Sequence, residues 1–461
     1  MLNKSIILNT DSYKASMWNQ YPKNTTGVFS YIESRGGMYD ETVMFGLQAF
    51  IKEYLIKPVT QADIDFAEKF FAMHGEPFNK AGWQLLLDRY QGKLPIRIRA
   101  VEEGKVVPVH NVLATVENLD PDFWWLTTWV ETALLRAVWY GTTVATRSHF
   151  IKQIIKGYLD ETGDVSGLPF KLHDFGARGV SSFESAGISG AAHLVNFMGT
   201  DTISGALYAA EYYGAALPVG YSIPAAEHST ITSWQRDDER KAYQNMVDQF
   251  GGEGKIFAVV SDSYDIRHAC HMWANELRMK VVGSGSTLVV RPDSGDPATV
   301  VLDCIKILDA GYGSKVNDKG FKVLNNVRVI QGDGICEKEI INILSALKAA
   351  GYSADNVAFG CGGYLLQQVN RDTQKFAMKC SAAKVDNKWR DVYKDPVTDT
   401  GKRSKKGRVT LMEKNGEYMS FLESDIVPME HVGWKVALDT VYEYGTLVKE
   451  VSFDQVRANA A

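Results

Sequence analysis

"TLVVRPDSGDPATVVLDCIKILDAG", Thr287 to Gly311, divides into an apolar strand-like run, a polar turn and a helix-like stretch that opens on Pro297. The same texture repeats on both sides. Strand-like runs end in "LHDFG", "NFMGTD", "SIPAAEH", "FAVVSDS", "VRVIQGDG" and "NVAFGCGG", and most are followed by a helical segment such as "CEKEIINILSALKAAG". Repeated β-α units predict a parallel sheet. Polar residues and glycines recur at the C-terminal end of strand after strand, which predicts an α/β barrel with its site on that rim. A doubly wound sheet would gather them at one switch point. The second and third strands are short and weakly marked.

Around this repeat the chain is of ordinary globular composition. Its 461 residues are 45% hydrophobic and 23% charged, with a formal net charge of -5 that gives no footprint for nucleic acid. Five scattered cysteines without a CxxC pair support neither a disulfide framework nor a zinc knuckle and fit a reducing, cytoplasmic setting. The N-terminal apolar patch is cut too early for a signal segment, and no stretch approaches a membrane span. Residues 1–141 read as a mixed α+β domain, with helical periodicity in "ETVMFGLQAFIKEYL" and β-like alternation in "LPIRIRAVEEGKVVPVHNVLATVEN". Residues 142–378 carry the β-α repeat. In 379–461 the rhythm stops, "GRVTLMEKNGEYMSFL" reads as a hairpin turning at Asn415-Gly416, and the segment is expected to pack on the N-terminal domain.

Several rim residues carry chemistry. Arg291 and Asp293 flank a proline at a strand end, where they can grip an anionic or carbonyl oxygen and a hydroxyl or metal-bound water, or form a plain surface ion pair. Gly332 admits a ligand to the backbone and Asp333 can hold ribose hydroxyls, although an Asp-Gly turn alone explains both. Gly360, Gly362 and Gly363 can face a phosphate or serve tight packing. His228, beside Glu227, Ser229 and Thr230 at a helix start, is a general base, a phosphate contact, a phosphoryl-accepting nucleophile or a simple hydrogen-bonded histidine. Ser261, Asp262 and Asp265 can orient it or bind magnesium through water. Arg371, Lys375, Lys379, Lys394 and "KRSKKGR", Lys402 to Arg408, point to a polyanion or a solvated loop. Neither HExxH nor a P-loop occurs.

"TDSYKASMWNQYP", "KLHDFGARGVSS", "GTDT", "GYSIPAAEHSTITSW", "VVSDSYDI", "RPDSG", "VIQGDG", "FGCGGYLLQ" and "KDPVTDTGKRSKKGR" occur in the order and approximate spacing of the nicotinamide phosphoribosyltransferases, type II phosphoribosyltransferases, and the chain resembles that family over nearly its whole length. The resemblance implies an incomplete parallel α/β barrel plus a mixed domain built from both chain ends, in a homodimer with shared active sites. It implies NAD salvage by transfer of the phosphoribosyl group from phosphoribosyl diphosphate to nicotinamide, with Mg²⁺, and with ATP coupled through a phosphohistidine at His228.

Carried over by motif, Phe175 and the partner's Tyr13 would sandwich the pyridine, Asp201 would take the carboxamide N–H and Arg291 its carbonyl side. Asp293, Gly332 and Asp333 would hold the ribose, with Gly362, Gly363 and Arg371 around the 5-phosphate. Arg178, Ser222, Arg35, Lys379, Lys394 and Lys402 would face phosphate or diphosphate, and Asp265 and Asp293 would meet magnesium through water. His228, Asp265, Arg291 and Asp293 would form the catalytic set.

Three positions depart from the family: Ala377 stands for a serine, Ala177 for a tyrosine and Tyr364 for a glycine. Shorter loops after Gly36 and between Gly311 and Val327 fit a bacterial or phage member. A nicotinate phosphoribosyltransferase is the nearest alternative. Asp201 opposes it, since a carboxylate would then face a carboxylate. A phosphosugar aldolase or isomerase would need a Schiff-base lysine or an enolising base, and none stands out. A non-catalytic binding protein would not keep Arg291, Asp293 and His228 together.

Overall fold

In the computed structural model, which describes residues 4–398 and 403–461, the opening stretch forms a strand at Thr287–Arg291 and a helix at Pro297–Tyr312. Asp296 caps that helix by accepting from the Thr299 N–H at 3.0 Å, and Pro297 takes the first turn, where a missing N–H costs nothing. Val300, Val301, Cys304, Ile305, Leu308 and Tyr312 form its buried stripe at helical spacing. Each large aliphatic side chain among them contributes roughly 1.5–3 kcal/mol by leaving water.

Six such strands form one parallel sheet: β1 (Leu172–Asp174), β2 (Gly199–Thr200), β3 (Ile256–Val260), β4 (Thr287–Arg291), β5 (Val327–Gln331) and β6 (Val357–Cys361), in the order β2-β1-β6-β5-β4-β3. The expected third strand, "SIPAAEH", is not a regular strand. It crosses between the two sheet edges, bridging Gly199 through Tyr221 and Ala258 through Ala225. Four backbone bonds of 2.7–3.0 Å hold this segment to β2 and β3. Pro224 has no N–H to give, so a full ladder cannot form there. Ring order therefore follows chain order, as in an α/β barrel. Ala258, Val289 and Ile330 fill the interior, with Ile223, Phe175 and Ala358 packed against them.

The chain parts into two compact units, Met1–Thr146 with Ala209–Ala215 and Val369–Ala461, and Arg147–Tyr208 with Ala216–Gln368. The first is built on a seven-stranded sheet. There Phe376–Val385 lies antiparallel to Thr25–Ser34, and Asp439–Glu443 to Ile96–Ala100, so both chain ends share the sheet. The hairpin forms at the expected place, with Lys414 opposite Glu417. Asn415 and Gly416 have φ of 53° and 85°, as a two-residue turn with two left-handed positions demands.

Two local readings change. "ETVMFGLQAFIKEYL" begins as a strand, Glu41–Val43, before the helical turns Leu47–Phe50 and Ile51–Leu55, because Gly46 at φ 108° interrupts the periodicity. Thr142, where the β-α texture begins, lies inside a 32-residue helix, Glu131–Thr162. The hydroxyls of Thr143 and Thr146 donate to the carbonyls of Trp139 and Thr142 at 2.5 and 2.6 Å, which satisfies these polar groups inside the helix. No described helix is long and apolar enough to cross a membrane.

Candidate active site

Strand alternation turns His173, Phe175, Arg291, Gly332 and Gly360 inward at the barrel rim. Phe175 follows β1, and its N–H donates to the Cys361 carbonyl at 2.9 Å, which fixes the ring beside β6. Gly360 makes that position possible, since a β-carbon there would stand 2.0 Å from Phe175 Cε2. At Gly332 an added β-carbon would lie 3.4 Å from both Phe175 Cε2 and Arg291 Nε. The Arg291 guanidinium is 5.4 Å from the centre of the Phe175 ring. An aromatic face, a cation and two glycines whose missing β-carbons leave room for them thus share one space. Arg291 also donates to Asp293 Oδ1, from Nε at 3.1 Å and Nη2 at 2.7 Å, so the two residues on either side of Pro292 are joined.

On the neighbouring strand end, Asp201 donates its backbone N–H to the Asp174 carbonyl at 2.9 Å and leaves its side chain exposed. The Ser222 hydroxyl donates to Asp201 Oδ1. Beneath them Asp174 is wholly buried, and its Oδ1 accepts from the Gly176 N–H at 2.7 Å. Burial, aided by the Asp201 charge, pushes the Asp174 carboxyl up to about 6, even though hydrogen bonds to its ionised form pull the other way. Burial likewise lowers the pKa of His173 and favours a neutral imidazole.

His228 opens the short helix His228–Thr232. Its Nε2 lies 3.0 Å from Asp262 Oδ1, and Asp262 Oδ2 accepts from the Ser294 hydroxyl at 2.6 Å. Asp262 is 5% exposed and His228 45%, so a buried carboxylate orients an accessible imidazole. An ionised carboxylate can only accept, so Nε2 is the donor in this bond. Asp265 is occupied differently: its Oδ1 caps the next helix, accepting from the N–H groups of Arg267 and His268 at 2.9 and 3.1 Å. Those bonds, the His268 N–H foremost, hold its carboxyl below the ordinary range.

The glycine turn after β6 packs against the turn that carries Arg178. A β-carbon on Gly176 would meet the Gly362 carbonyl at 3.0 Å and one on Gly179 the Gly363 Cα at 3.3 Å, whereas Gly363 itself faces open space. Arg178 and Ala177 are exposed on this turn. Asp333 is exposed, and its carbonyl accepts from Gln331 Nε2 at 3.1 Å.

The remaining sequence-derived residues belong to the first unit. Tyr13 is 55% exposed, with Lys14 Nζ 5.1 Å from its ring centre. Lys379 has a lowered pKa. Burial is the main cause, the charges of Arg35, Lys14 and Arg371 act in the same direction, and Glu131 opposes them. Four cations therefore lie within one another's field. Lys394 is exposed, Ala377 pairs with Glu33 across the sheet, and Lys402 lies outside the described residues. Four roles escaped the sequence reading: Gly360 as the space for the ring, Ser294 as the support of Asp262, Asp174 under the pocket, and Lys14 in the cationic group. Only Gly360 had a local signal, an inward glycine at a strand end.

The Nicotinate phosphoribosyltransferase (NAPRTase) family profile matches residues 170–445, and that of the nicotinamide phosphoribosyltransferase N-terminal domain matches residues 5–98. A nicotinamide phosphoribosyltransferase of Xanthomonas campestris pv. campestris is 57% identical over 462 residues, covering 99% of this chain and 98% of its own. One from Acinetobacter baylyi is 29% identical, covering 98% and 96%. Among solved structures, nicotinate-nucleotide pyrophosphorylase from Pyrococcus furiosus matches with a TM-score of 0.63 at 16% identity, covering 99% of this chain and 94% of that one, a likeness of fold. Motifs, barrel and relatives agree: the chain belongs to the nicotinate phosphoribosyltransferase family and carries the N-terminal domain of its nicotinamide phosphoribosyltransferases.

Proposed function

We propose that the protein joins nicotinamide to the phosphoribosyl group of phosphoribosyl diphosphate, giving nicotinamide mononucleotide and diphosphate. The observation that carries this reading is the exposed Asp201 carboxylate on the strand end next to Phe175. An amide N–H satisfies that carboxylate. A nicotinate carboxylate would cost several kcal/mol, on the order of a thousandfold in selectivity. Phe175 stacks the ring and Arg291 donates to the amide carbonyl. The pyridine nitrogen lone pair then forms a bond to ribose C1 as the C1–oxygen bond to diphosphate breaks. No ring proton has to leave, so no general base is required. Asp293 and Asp333 hold ribose hydroxyls, and Arg178 and the glycine turn meet the 5-phosphate. Lys14, Arg35 and Lys379 have the charge that diphosphate needs, and Arg371 serves the 5-phosphate.

Among the described residues no three His, Cys, Asp or Glu side chains gather as a metal cage. Asp265 caps a helix through Oδ1 and Asp293 accepts from Arg291 on Oδ1, so each carboxylate already has one oxygen engaged by a protein group. In this reading magnesium comes as the counter-ion of the diphosphate. His228 takes the γ-phosphoryl group of ATP on Nδ1 with departure of ADP, its Nε2 proton passing to Asp262. The half-exposed Tyr13 ring is offered to a second copy, and five free cysteines fit the cytoplasm.

Purified protein incubated with nicotinamide, phosphoribosyl diphosphate and Mg²⁺ should form the mononucleotide, and ATP should raise the yield. Absence of product rejects the reading. In His228→Ala the ATP effect should vanish while basal synthesis remains. Light scattering that returns a monomer would remove the shared-site part.

A further inference from the structure

The resemblance expects glycine at position 364, yet the chain has a tyrosine there, and the structure gives that ring a defined job. Tyr364 is the second residue of the short helix Gly363–Leu366, immediately after the glycine turn. Arg147, 2% exposed on the helix Glu131–Thr162, lies over its ring at 4.2 Å from the centre. Arg147 Nη1 also donates to the Tyr364 carbonyl and, at 3.2 Å, to the Gln368 carbonyl. The Tyr364 hydroxyl donates to Glu337 Oε2 at the start of the helix Glu337–Ala349, and Glu337 Oε1 is 4.0 Å from Arg147 Nε. Ring, guanidinium and carboxylate form a closed network that fixes one peptide carbonyl inside the turn and another just beyond it.

A four-residue helix has almost no stability of its own, because nucleation costs more than one turn returns. Its geometry must come from outside, and here three side chains from three elements supply it. Arg147 is buried and Tyr364 and Glu337 are partly buried, where a cation over an aromatic face and a charge-assisted hydrogen bond are both stronger than at the open surface. The opposite side of the turn is open at Gly363. One side is thus clamped and the other is free to receive a ligand.

We propose that Tyr364, held between Arg147 and Glu337, is a positioning residue that sets the geometry of the glycine turn, and hence the affinity for the 5-phosphate of phosphoribosyl diphosphate. The inference rests on the proposed phosphoribosyl transfer. Tyr364 touches no substrate in this account. It acts through the peptide groups of residues 362–364, and the missing hydroxyl of Tyr364→Phe isolates the Glu337 anchor while keeping the ring under Arg147.

The test uses the full chain as wild type, Tyr364→Phe, Glu337→Gln and Tyr364→Gly. Initial rates of mononucleotide formation should show KM for phosphoribosyl diphosphate raised about fivefold to tenfold in the first two variants, with KM for nicotinamide and kcat within about twofold. Tyr364→Gly, which also removes the ring, should raise it further. Stabilisation by inorganic phosphate, read as a thermal shift without turnover, should weaken in parallel. Unchanged KM for phosphoribosyl diphosphate in a folded variant overturns the proposal, as does an equal movement of both KM values and kcat. An inactive wild type would reject the proposed function, whereas the phosphate shift still judges the role of Tyr364: equal shifts in wild type and Tyr364→Phe overturn it.

Discussion

At Gly360 an added β-carbon would stand 2.0 Å from Cε2 of Phe175, far inside van der Waals contact. Neither neighbour can yield easily: Gly360 is in a strand paired to β1, and the Phe175 backbone is tied to Cys361. The ring has to turn away from its site. Gly360→Ala should therefore keep the circular dichroism of the wild type but lose about a hundredfold in kcat/KM for nicotinamide. A variant with wild-type kinetics would show that Phe175 does not support the substrate ring. Asp201 acts by charge rather than by shape. Asp201→Asn removes the repulsion of a second carboxylate, so the preference for nicotinamide over nicotinate should shrink by ~10²–10³-fold. Competition of the two substrates in one reaction measures that ratio directly, and an unmoved ratio would take the selecting role from Asp201.

Elements show what a sequence can encode locally. The hairpin at Asn415-Gly416 and the β-α repeats were legible because turn chemistry and hydrophobic period are set by neighbours in the chain. Gly416 sits at φ 85° with nothing near its missing β-carbon, and Gly157, inside the helix Glu131–Thr162, also faces open space but has no left-handed φ. The same substitution should therefore act with opposite sign. Gly416→Ala should lower stability by ~1–2 kcal/mol through backbone strain alone. Gly157→Ala should raise it by ~0.5–1 kcal/mol. Thermal melts that moved in the same direction would contradict the backbone account. What the sequence did not make legible depends on distant partners. The segment 221–226 has no alternation to mark it, because two barrel edges rather than its own pattern hold it in place. Ser294 supports His228 only through Asp262, across two separate strand-end loops.

For the whole molecule, stability against pH adds contributions of both signs. Asp120 is held below its ordinary range: burial opposes ionisation, but the Asp122 N–H, the Tyr90 hydroxyl and Arg89 outweigh it. Such a carboxylate stabilises the fold at neutral pH and loses that contribution as pH falls. Asp174 runs the other way. Its ordinary value of 3.8 is raised in the fold to about 6, so between those limits the native state binds more protons than the unfolded chain. Unfolding free energy must then fall as pH rises through that window, by up to ~3 kcal/mol from this one group. Asparagine has nearly the same shape, keeps an oxygen for the Gly176 N–H and cannot ionise. The melting temperature of Asp174→Asn minus that of the wild type should accordingly be small near pH 4 and grow by up to about 6–12 °C by pH 7, since ~1 kcal/mol moves a domain of this size by roughly 2–4 °C. Because Asp120 and similar groups are common to both proteins, the difference isolates Asp174. A difference that stayed flat, or shrank as pH rose, would mean that this carboxylate does not carry its burial cost into the folded state.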